Sequence, residues 1–282
     1  MTRLSIEADD TGRHTPIHGP DAIAALREAG RIAALTLDHI APLIRPGIST
    51  AEIDHAADAF MRARGAVAAT IGYKGYAHAS CISINHVAAH GIPSETKRLK
   101  AGDIVNVDVT PLVDGWHGDT SRTFGVGPLP LKLKRLVLAT FEAMWAGIDA
   151  VRPGARLGDV GAAIQARAAA DRLTVLTSFC GHGTGRIFHD APQVLHVGRA
   201  GEGMLLEPGM VFTIEPMLTT GRDRTAILPD GWTAVTADRA PTAQFEHTVT
   251  VTDTGVEVLT LSPDDPSPRS WDFDGKQGTG RF

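Results

Sequence analysis

The chain has 282 residues, of which 43% are hydrophobic and 21% are charged, and its formal net charge is −5. This length and apolar content suffice for a substantial core, in one large domain or two small ones. The mild acidic excess, with a pI near 6.2, argues against nucleic-acid binding, which would need a surplus or a stripe of basic residues.

The first 20 residues are polar, contain Pro16, Gly19 and Pro20, and lack the apolar stretch of a signal peptide. We expect them to form either an arm laid over the body or a mobile end. The chain has no apolar run near the roughly 18 residues that a spanning helix needs. Its two cysteines form no CxxC pair, so we expect no disulfide framework and a cytoplasmic, soluble protein.

Periodicity predicts the main elements in chain order. Apolar residues recur at helical spacing in four segments, 21–43, 50–64, 131–150 and 157–171, and Ser49 or Thr50 is the expected N-cap of the second. Alternating, β-branched segments predict strands at 104–109, 120–126, 210–216 and 247–253. This pattern favours an α+β fold with helices packed on a mainly antiparallel sheet. Residues 263–282 are rich in proline and mixed charge, which predicts a tail.

Two parts of the chain repeat each other at an offset of 107 residues. The segments that begin at Ile44 and Val151 both contain Arg-Pro-Gly followed by a helical rhythm. The same offset aligns residues 101–109 with residues 208–216, so that Asp108 is aligned with Glu215 in the sequence. Because two stretches share one offset, we predict a single domain over 21–262 made of two related halves, whose equivalent strands present acids to a shared centre.

Asp108 and Asp119 are the first candidate metal ligands. Asp108 interrupts an apolar strand, where a charge is costly unless it is paired or binds a cation. A four-residue loop at 112–115 would place Asp108 directly opposite Asp119. Two like charges so close favour a cation between them. Taken alone, the pair fits a solvent-exposed hairpin with two ordinary aspartates equally well.

Further candidate ligands shift the balance towards metal binding. Glu215 and Glu246 are also acids within apolar strand contexts, and strand alternation places Glu246 and His247 on opposite faces, so we predict that the acid points inward. His182 lies between two glycines, which permit close approach of the backbone to a crowded site. Four carboxylates and one imidazole suit two Mn, Fe(II), Co or Zn ions in a hydrolytic site.

Other catalytic classes fit the sequence less well. It contains no GxSxG, and its GHGTG stretch lacks the Lys and Ser/Thr of a phosphate loop. Cys180 precedes His182 by two residues, but a buried structural cysteine is more common than a thiol nucleophile. His90 and His189 are expected to neighbour the metals rather than bind them.

The motifs AHGIP, NVDVT…GDTSRTF, GHGTGRIFH, FTIEP and QFEHT, in this order, resemble those of bacterial type I methionine aminopeptidases of peptidase family M24. The resemblance covers about residues 20–262 and implies the pseudo-twofold pita-bread (creatinase/aminopeptidase) fold. It implies two divalent ions, with Asp119 and Glu246 bridging them, Asp108 holding one, and His182 with Glu215 holding the other.

The same resemblance implies an activity and its auxiliary residues. The expected enzyme removes the initiator methionine from nascent proteins whose second residue is small, with possible proximity to the ribosome, and is a monomer without nucleic-acid or membrane partners. His90 would bind the scissile amide nitrogen, His189 would donate to the scissile carbonyl oxygen, and Glu215 would be the general base.

The resemblance also implies an apolar methionine pocket. The residues at its positions are Tyr73, Tyr76, Cys81, Phe188 and Trp232, for which core packing is the alternative interpretation. Two departures from the family pattern are Thr70 and Ala89, which stand where many members have cysteine.

Two other functions remain open from the sequence. A proline-directed dipeptidase or aminopeptidase would share the five ligands, but such enzymes usually carry a large extra N-terminal domain, and only about 20 residues precede the first predicted helix here. A pita-bread protein without metals would act as a binding module, which the intact ligand set disfavours.

Overall fold

The computed structural model describes residues 3–263, so the predicted tail lies outside the described residues except for Pro263. Within this range the α-helices fall where periodicity predicts them: α1 (Pro20–Ile40), α2 (Thr50–Arg62), α3 (Leu131–Asp149) and α4 (Leu157–Ala170). Short 3-10 turns occur at Ala41–Leu43 and Tyr73–Gly75. No helix of the described residues has the length and apolarity to cross a bilayer.

Short strands make up the remaining regular structure of residues 3–263. They are β1 (Arg3–Ala8), β2 (His14–Ile17), β3 (Val67–Ala68), β4 (Ser80–Ile84), β5 (Val87–Ala89), β6 (Ile104–Val109), β7 (Pro111–Val113), β8 (Trp116–His117), β9 (Thr120–Gly125), β10 (Thr174–Val175), β11 (Gly181–Gly183), β12 (Asp190–Val194), β13 (Val211–Ile214), β14 (Met217–Thr219), β15 (Thr225–Ile227), β16 (Ala234–Thr236), β17 (Thr242–Gln244), β18 (His247–Val251) and β19 (Val256–Val258).

The described strands form six small sheets rather than one continuous sheet, and their pairings are antiparallel as predicted. The two sheets beside the candidate ligands are β4-β6-β9 and β12-β11-β13-β18-β19. An isolated backbone bridge between Ser121 of β9 and Glu246, just before β18, links them. The strands that carry the candidate ligands therefore meet between the two halves.

The internal repeat is visible in the backbone. Gly47 and Gly102 have φ values of 92° and 90°, and Gly154 and Gly209, each 107 residues further on, have φ values of 83° and 91°. Such angles strongly favour glycine, so both halves need it for the same reason. The backbone bridge just before α2 also recurs just before α4 at this offset. The two repeated segments therefore share their backbone conformation as well as their amino-acid sequence pattern.

Each half has its own apolar cluster. In the first half, α1 and α2 bury residues such as Ile53 against strand residues such as Val107. In the second half, α3 and α4 bury residues such as Ile164 against β13 residues such as Phe212. Because helices cover one side of each sheet, the acids on the other side face the centre between the halves.

Helix α2 begins with a capping box, which resolves the choice of N-cap. Ser49 Oγ accepts a hydrogen bond from the Glu52 N–H at 3.2 Å, and the Glu52 carboxylate accepts one from the Ser49 N–H at 2.8 Å. Thr50 Oγ1 instead donates to the carbonyl of Ser94 at 3.2 Å. Ser49 is therefore the N-cap, and the paired bonds satisfy two donors at the helix start.

The N-terminal segment lies over the second half of the body. Strands β1 and β2 form a hairpin, and the Ile6 N–H donates to Glu207 Oε1 at 2.6 Å. The Glu7 carboxylate accepts from the Leu205 N–H at 3.0 Å and lies 3.1 Å from Arg156. These contacts hold the β1–β2 hairpin against the second half of the chain.

Gly118 lies where the β7–β8 hairpin crosses α1, and its packing gives a test of the fold. A Cβ at this position would lie 2.2 Å from the carbonyl carbon of Ala29 and 2.5 Å from the nitrogen of Gly30. Because backbone atoms must shift to make room, Gly118→Ala is expected to lower the free energy of unfolding by about 1–3 kcal/mol, measured by urea denaturation.

The matched control for this substitution is Gly255→Ala. A Cβ at Gly255 meets no described atom within 4 Å, so its effect should stay within about 0.5 kcal/mol. Equal losses for the two variants would contradict the close crossing of the hairpin and α1.

Candidate active site

Asp108 and Asp119 reach the site from one hairpin, but the predicted register was wrong. The turn contains only Asp114 and Gly115, with φ values of 49° and 81°, and Asp108 lies opposite Ser121 rather than Asp119. Asp-Gly supplies both left-handed residues of a two-residue turn, so the predicted four-residue loop was too long. The register changes by two residues, which keeps both carboxylates on the same face.

Asp119 is almost fully buried and firmly held. It is 3% exposed. Its Oδ1 accepts a hydrogen bond from Thr110 Oγ1 at 2.8 Å, and its carbonyl accepts one from Thr248 Oγ1 at 2.7 Å. Since these donors come from different halves, Asp119 lies where the halves meet.

Glu215 follows the last residue of β13 and is also buried. Pro216 comes next, which restricts the Glu215 backbone to an extended conformation. Thr213 Oγ1 donates to Glu215 Oε1 at 2.8 Å, and Gln244 Nε2 donates to Oε2 at 3.3 Å. Both carboxylate oxygens are therefore oriented by neighbouring side chains.

Glu246 lies at the junction of the two main sheets. Its N–H donates to the Ser121 carbonyl at 3.1 Å, and its carbonyl accepts from Thr120 Oγ1 at 2.6 Å. Its neighbour His247 packs instead against the ring of Trp145, at 5.7 Å between centroids. Glu246 is thus part of the acidic cluster, whereas His247 points into the opposite core.

His182 is surrounded so closely that its neighbours must be glycine. A Cβ at Gly181 would lie 2.2 Å from the Thr213 carbonyl oxygen, and a Cβ at Gly183 would lie 1.8 Å from that of Ala191. No side chain fits in such gaps, as the sequence pattern suggested. The glycines let β11 press against β12 and β13 with the imidazole directed at the acids.

Four of the five candidate ligands lie in one cluster, and the charge of the fifth, Asp108, acts on it. His182 Nε2 is 3.5 Å from Asp119 Oδ2 and 3.7 Å from Glu215 Oε1. Ligand atoms of Asp119, His182 and Glu246 all lie within 4.8 Å of one another. Asp108 is near enough for its charge to raise the pKa of both Glu215 and Glu246.

Burial and mutual repulsion disfavour the ionised forms of the four acids at this site. Burial is the largest cause that raises the pKa of Asp108, Asp119, Glu215 and Glu246. The Asp119 carboxylate raises the pKa of the other three further, while His182 opposes the rise for Asp119 itself. Acids this close ionise together only when cations lie among them.

The residues of the cluster fit divalent metal ions. Carboxylate oxygens with one imidazole are the ligands preferred in hydrolytic sites with Mn, Fe(II), Co or Zn. Cys81 is buried beside the cluster, but burial and then the Asp108 charge raise the pKa of its thiol, so it stays protonated. A thiolate-rich structural zinc site is therefore disfavoured among the described residues.

Two imidazoles border the cluster without belonging to it. The His189 ring lies 4.2 Å from the His182 ring and 5.1 Å from that of Tyr73, while the His90 ring lies 6.1 Å from that of Trp232. Burial lowers the pKa of His90. His189 is partly exposed to solvent. The part of it that is buried is the largest cause that lowers its pKa, and the charge of His182 lowers that pKa further. Both rings are therefore neutral near pH 7.

Aromatic side chains form an apolar wall beside the cluster. The ring centroids of Tyr73 and Phe188 are 4.9 Å apart, and those of Tyr76 and Trp232 are also 4.9 Å apart. Cys81 lies directly opposite the aspartate of β6 in the β4–β6 pairing, so the wall and the acids adjoin. The predicted pocket residues are thus close to the predicted ligands.

Comparison with known proteins identifies the family. The chain matches the model of metallopeptidase family M24 over residues 24–253. Methionine aminopeptidase A of Synechocystis sp. is 52% identical over 239 residues, which are 85% of this chain and 94% of that protein. The chain belongs to the methionine aminopeptidases of family M24.

Solved structures agree with this family and confirm the expected pita-bread fold. The methionine aminopeptidase of Rickettsia prowazekii has a TM-score of 0.86 and 46% identity, covering 88% of this chain and all (100%) of that one. An Xaa-Pro dipeptidase from Bacillus anthracis has a TM-score of 0.68 and 28% identity, and its match covers 88% of this chain but only 63% of the dipeptidase.

Sequence reasoning missed several side chains that hold the site of this M24 chain, namely Thr110, Thr213 and Gln244. Two of them had a detectable signal. Thr213 precedes Glu215 by two residues and Gln244 precedes Glu246 by two, which is the spacing of neighbours on one strand face. Thr110 contacts Asp119 across the hairpin, so only the correct register would have revealed it.

Proposed function

We propose that this chain removes the N-terminal methionine from nascent polypeptides by hydrolysing their first peptide bond. The observation that carries the proposal is the convergence of the acids and His182 in one buried cluster beside an aromatic pocket. The cluster supports metal-assisted hydrolysis, and the adjoining apolar wall supports recognition of an apolar first side chain.

We assign to the cluster two divalent ions of the Co, Mn, Fe(II) or Zn class. Asp119 and Glu246 would bridge them, Asp108 would complete one coordination sphere, and His182 with Glu215 would complete the other. Bound there, such a pair supplies Lewis acidity that polarises the scissile carbonyl and acidifies water.

The side chains of this site have separate tasks in the proposed reaction. Glu215, oriented by Thr213 and Gln244, takes the proton of the attacking water. His189 donates its ring N–H to the scissile carbonyl oxygen as negative charge develops there. His90 binds the scissile amide nitrogen. The lowered pKa of each histidine supports these tasks, because a neutral imidazole has one donor and one acceptor.

The aromatic wall supports methionine as the first residue. Its members are Tyr73, Tyr76, Cys81, Phe188 and Trp232. A thioether sulfur against aromatic rings gains about 0.3–1.5 kcal/mol per contact. Thr70 Oγ1 donates its proton to the His78 carbonyl at 2.8 Å, so the hydroxyl has no proton left to donate into the pocket.

We further propose that the second substrate residue must be small. The supporting observation is the position of two aromatic rings beside His189, whose ring lies 4.2 Å from that of Phe188 and 5.1 Å from that of Tyr73. A large second side chain would have to displace these rings from the carbonyl donor.

A panel of short peptides tests the substrate. We expect Met-Ala-Ser to be hydrolysed with a kcat/KM about 10²-fold above that for Met-Trp-Ser or for Xaa-Pro dipeptides and peptides. Release of free methionine is measured by chromatography. Preferential cleavage of the Xaa-Pro substrates would show a proline-directed enzyme instead.

Removal of metal tests the chemistry. After exhaustive chelation, Met-Ala-Ser hydrolysis is expected to fall to background and to return when Mn²⁺ or Co²⁺ is added back, because the buried acids need cations to ionise together. Metal content is measured on the same samples by mass spectrometry. Activity that persists in demonstrably metal-free protein would contradict a metallopeptidase and favour a different mechanism.

A further inference from the structure

Glu215 is held by its backbone as well as by its side chain. His196, which follows β12, is 2% exposed, and its Nε2 accepts a hydrogen bond from the Glu215 N–H at 3.2 Å. The two residues are brought together from different strands of the five-stranded sheet. His196 touches neither the aromatic pocket nor the other acids through any described hydrogen bond.

The Glu215 N–H needs this acceptor because the strand pairing that would otherwise provide one ends at the preceding residue. The pairing of β13 with β18 stops at Ile214, and the next residue, Pro216, has no N–H. Glu215 is buried, and a buried N–H without a partner costs about 1–3 kcal/mol. His196 thus supplies the hydrogen-bond acceptor that the sheet does not provide for the Glu215 N–H, just after the end of the strand that positions the Glu215 carboxylate.

The imidazole itself is not satisfied by this arrangement. Since Nε2 accepts, the ring proton lies on Nδ1. That Nδ1 is buried and has no hydrogen-bond partner among residues 3–263. An apolar side chain of similar shape would remove the unpaired donor, so packing alone does not explain a histidine here. The property that distinguishes His196 from such a side chain is the acceptor it offers to Glu215.

We propose that His196 is a positioning residue that fixes the Glu215 backbone, and thereby its carboxylate, for metal binding and catalysis. Thr213 and Gln244 orient the two carboxylate oxygens, and His196 sets the point from which the side chain extends. The inference rests on the proposed function for the identity of the reaction, but its effect on metal affinity does not depend on the substrate.

The test compares His196→Gln with His196→Met, two side chains of similar length of which only Gln offers an oxygen acceptor. Chelator-treated wild type and variants are titrated with Mn²⁺ in a calorimeter. H196M is expected to bind Mn²⁺ about 10–100-fold more weakly, with kcat for Met-Ala-Ser reduced by a similar factor and KM little changed. H196Q should recover most of both losses.

Thermal unfolding of the metal-free proteins separates positioning from a structural role. H196M removes the unpaired buried Nδ1–H but leaves the Glu215 N–H without an acceptor, so the two effects oppose each other and its midpoint should stay close to that of the wild type. Wild-type Mn²⁺ affinity in H196M would overturn the proposal. Equal losses in H196M and H196Q with lowered midpoints would also overturn it, by showing a structural role only. If H196M does not fold, His196→Phe takes its place.

The same experiment distinguishes this proposal from the proposed function. If wild type fails to cleave Met-Ala-Ser while H196M still binds Mn²⁺ more weakly than H196Q, then the assigned activity is wrong and the positioning by His196 stands.

Discussion

Asp119→Asn is expected to reduce turnover of Met-Ala-Ser by about 10³-fold and to leave the protein with fewer bound ions. Asp119 lies at the centre of the cluster, 3.5 Å from His182 Nε2, and its charge raises the pKa of the three other acids. The amide keeps the shape but removes the charge. A metal pair stabilises the transition state by several kcal/mol, and each loss of about 1.4 kcal/mol of that stabilisation lowers the rate tenfold. Steady-state kinetics and metal analysis measure both effects.

The matched control is Asp114→Asn, the same chemical change in the exposed turn of the same hairpin. Asn tolerates the φ of 49° there, so activity and metal content should not change. Full activity of Asp119→Asn with two ions bound would contradict the assignment of Asp119 as a shared ligand.

The metal-free protein provides an independent readout of the same substitution. Burial raises the pKa of Asp119 above its ordinary value of 3.8, so the ionised side chain destabilises the metal-free fold above that raised pKa. This destabilisation vanishes as the pH falls towards 3.8. Metal-free Asp119→Asn should therefore unfold at or above the wild-type midpoint at neutral pH, although it is less active.

His189→Ala is expected to lower kcat by about 10²–10³-fold while the metal ions stay bound. The ring lies 4.2 Å from that of His182, and its lowered pKa keeps it neutral with an N–H to donate. Loss of one donor to a developing oxyanion costs about this factor. KM should change little, because the donor acts mainly in the transition state.

His55→Ala is the control for this histidine, since His55 is exposed on α2 and lies outside the site. It should leave kcat and metal content unchanged. If His189→Ala instead empties the site, His189 is a ligand, and the division between ligands and auxiliary histidines is wrong.

Much of the fold was predictable because the repeat and the periodicity depend on local sequence. Gly47 and Gly154 occupy equivalent left-handed positions, and the four helices follow their apolar spacing. The candidate ligands could be proposed from the sequence because an acid within an apolar strand is costly without a partner, as at Asp108 and Glu246. The family resemblance added their roles, which remain proposals.

Other features depend on long-range geometry that the sequence does not display. The strand register was wrong by two residues because Asp114 and Gly115 alone form the turn, and a loop of either length preserves the alternation. The division into six sheets follows from contacts between distant segments. His196 had no local signal, since its partner Glu215 lies 19 residues further along the chain.

The most direct test is an anomalous difference map from crystals of the Mn²⁺-loaded protein. We expect two peaks about 3.5–4 Å apart, both within bonding distance of the acids and His182 that form the cluster. Peaks elsewhere, or no peak among Asp108, Asp119, His182, Glu215 and Glu246 in crystals that contain manganese, would contradict a dinuclear site built from these five side chains.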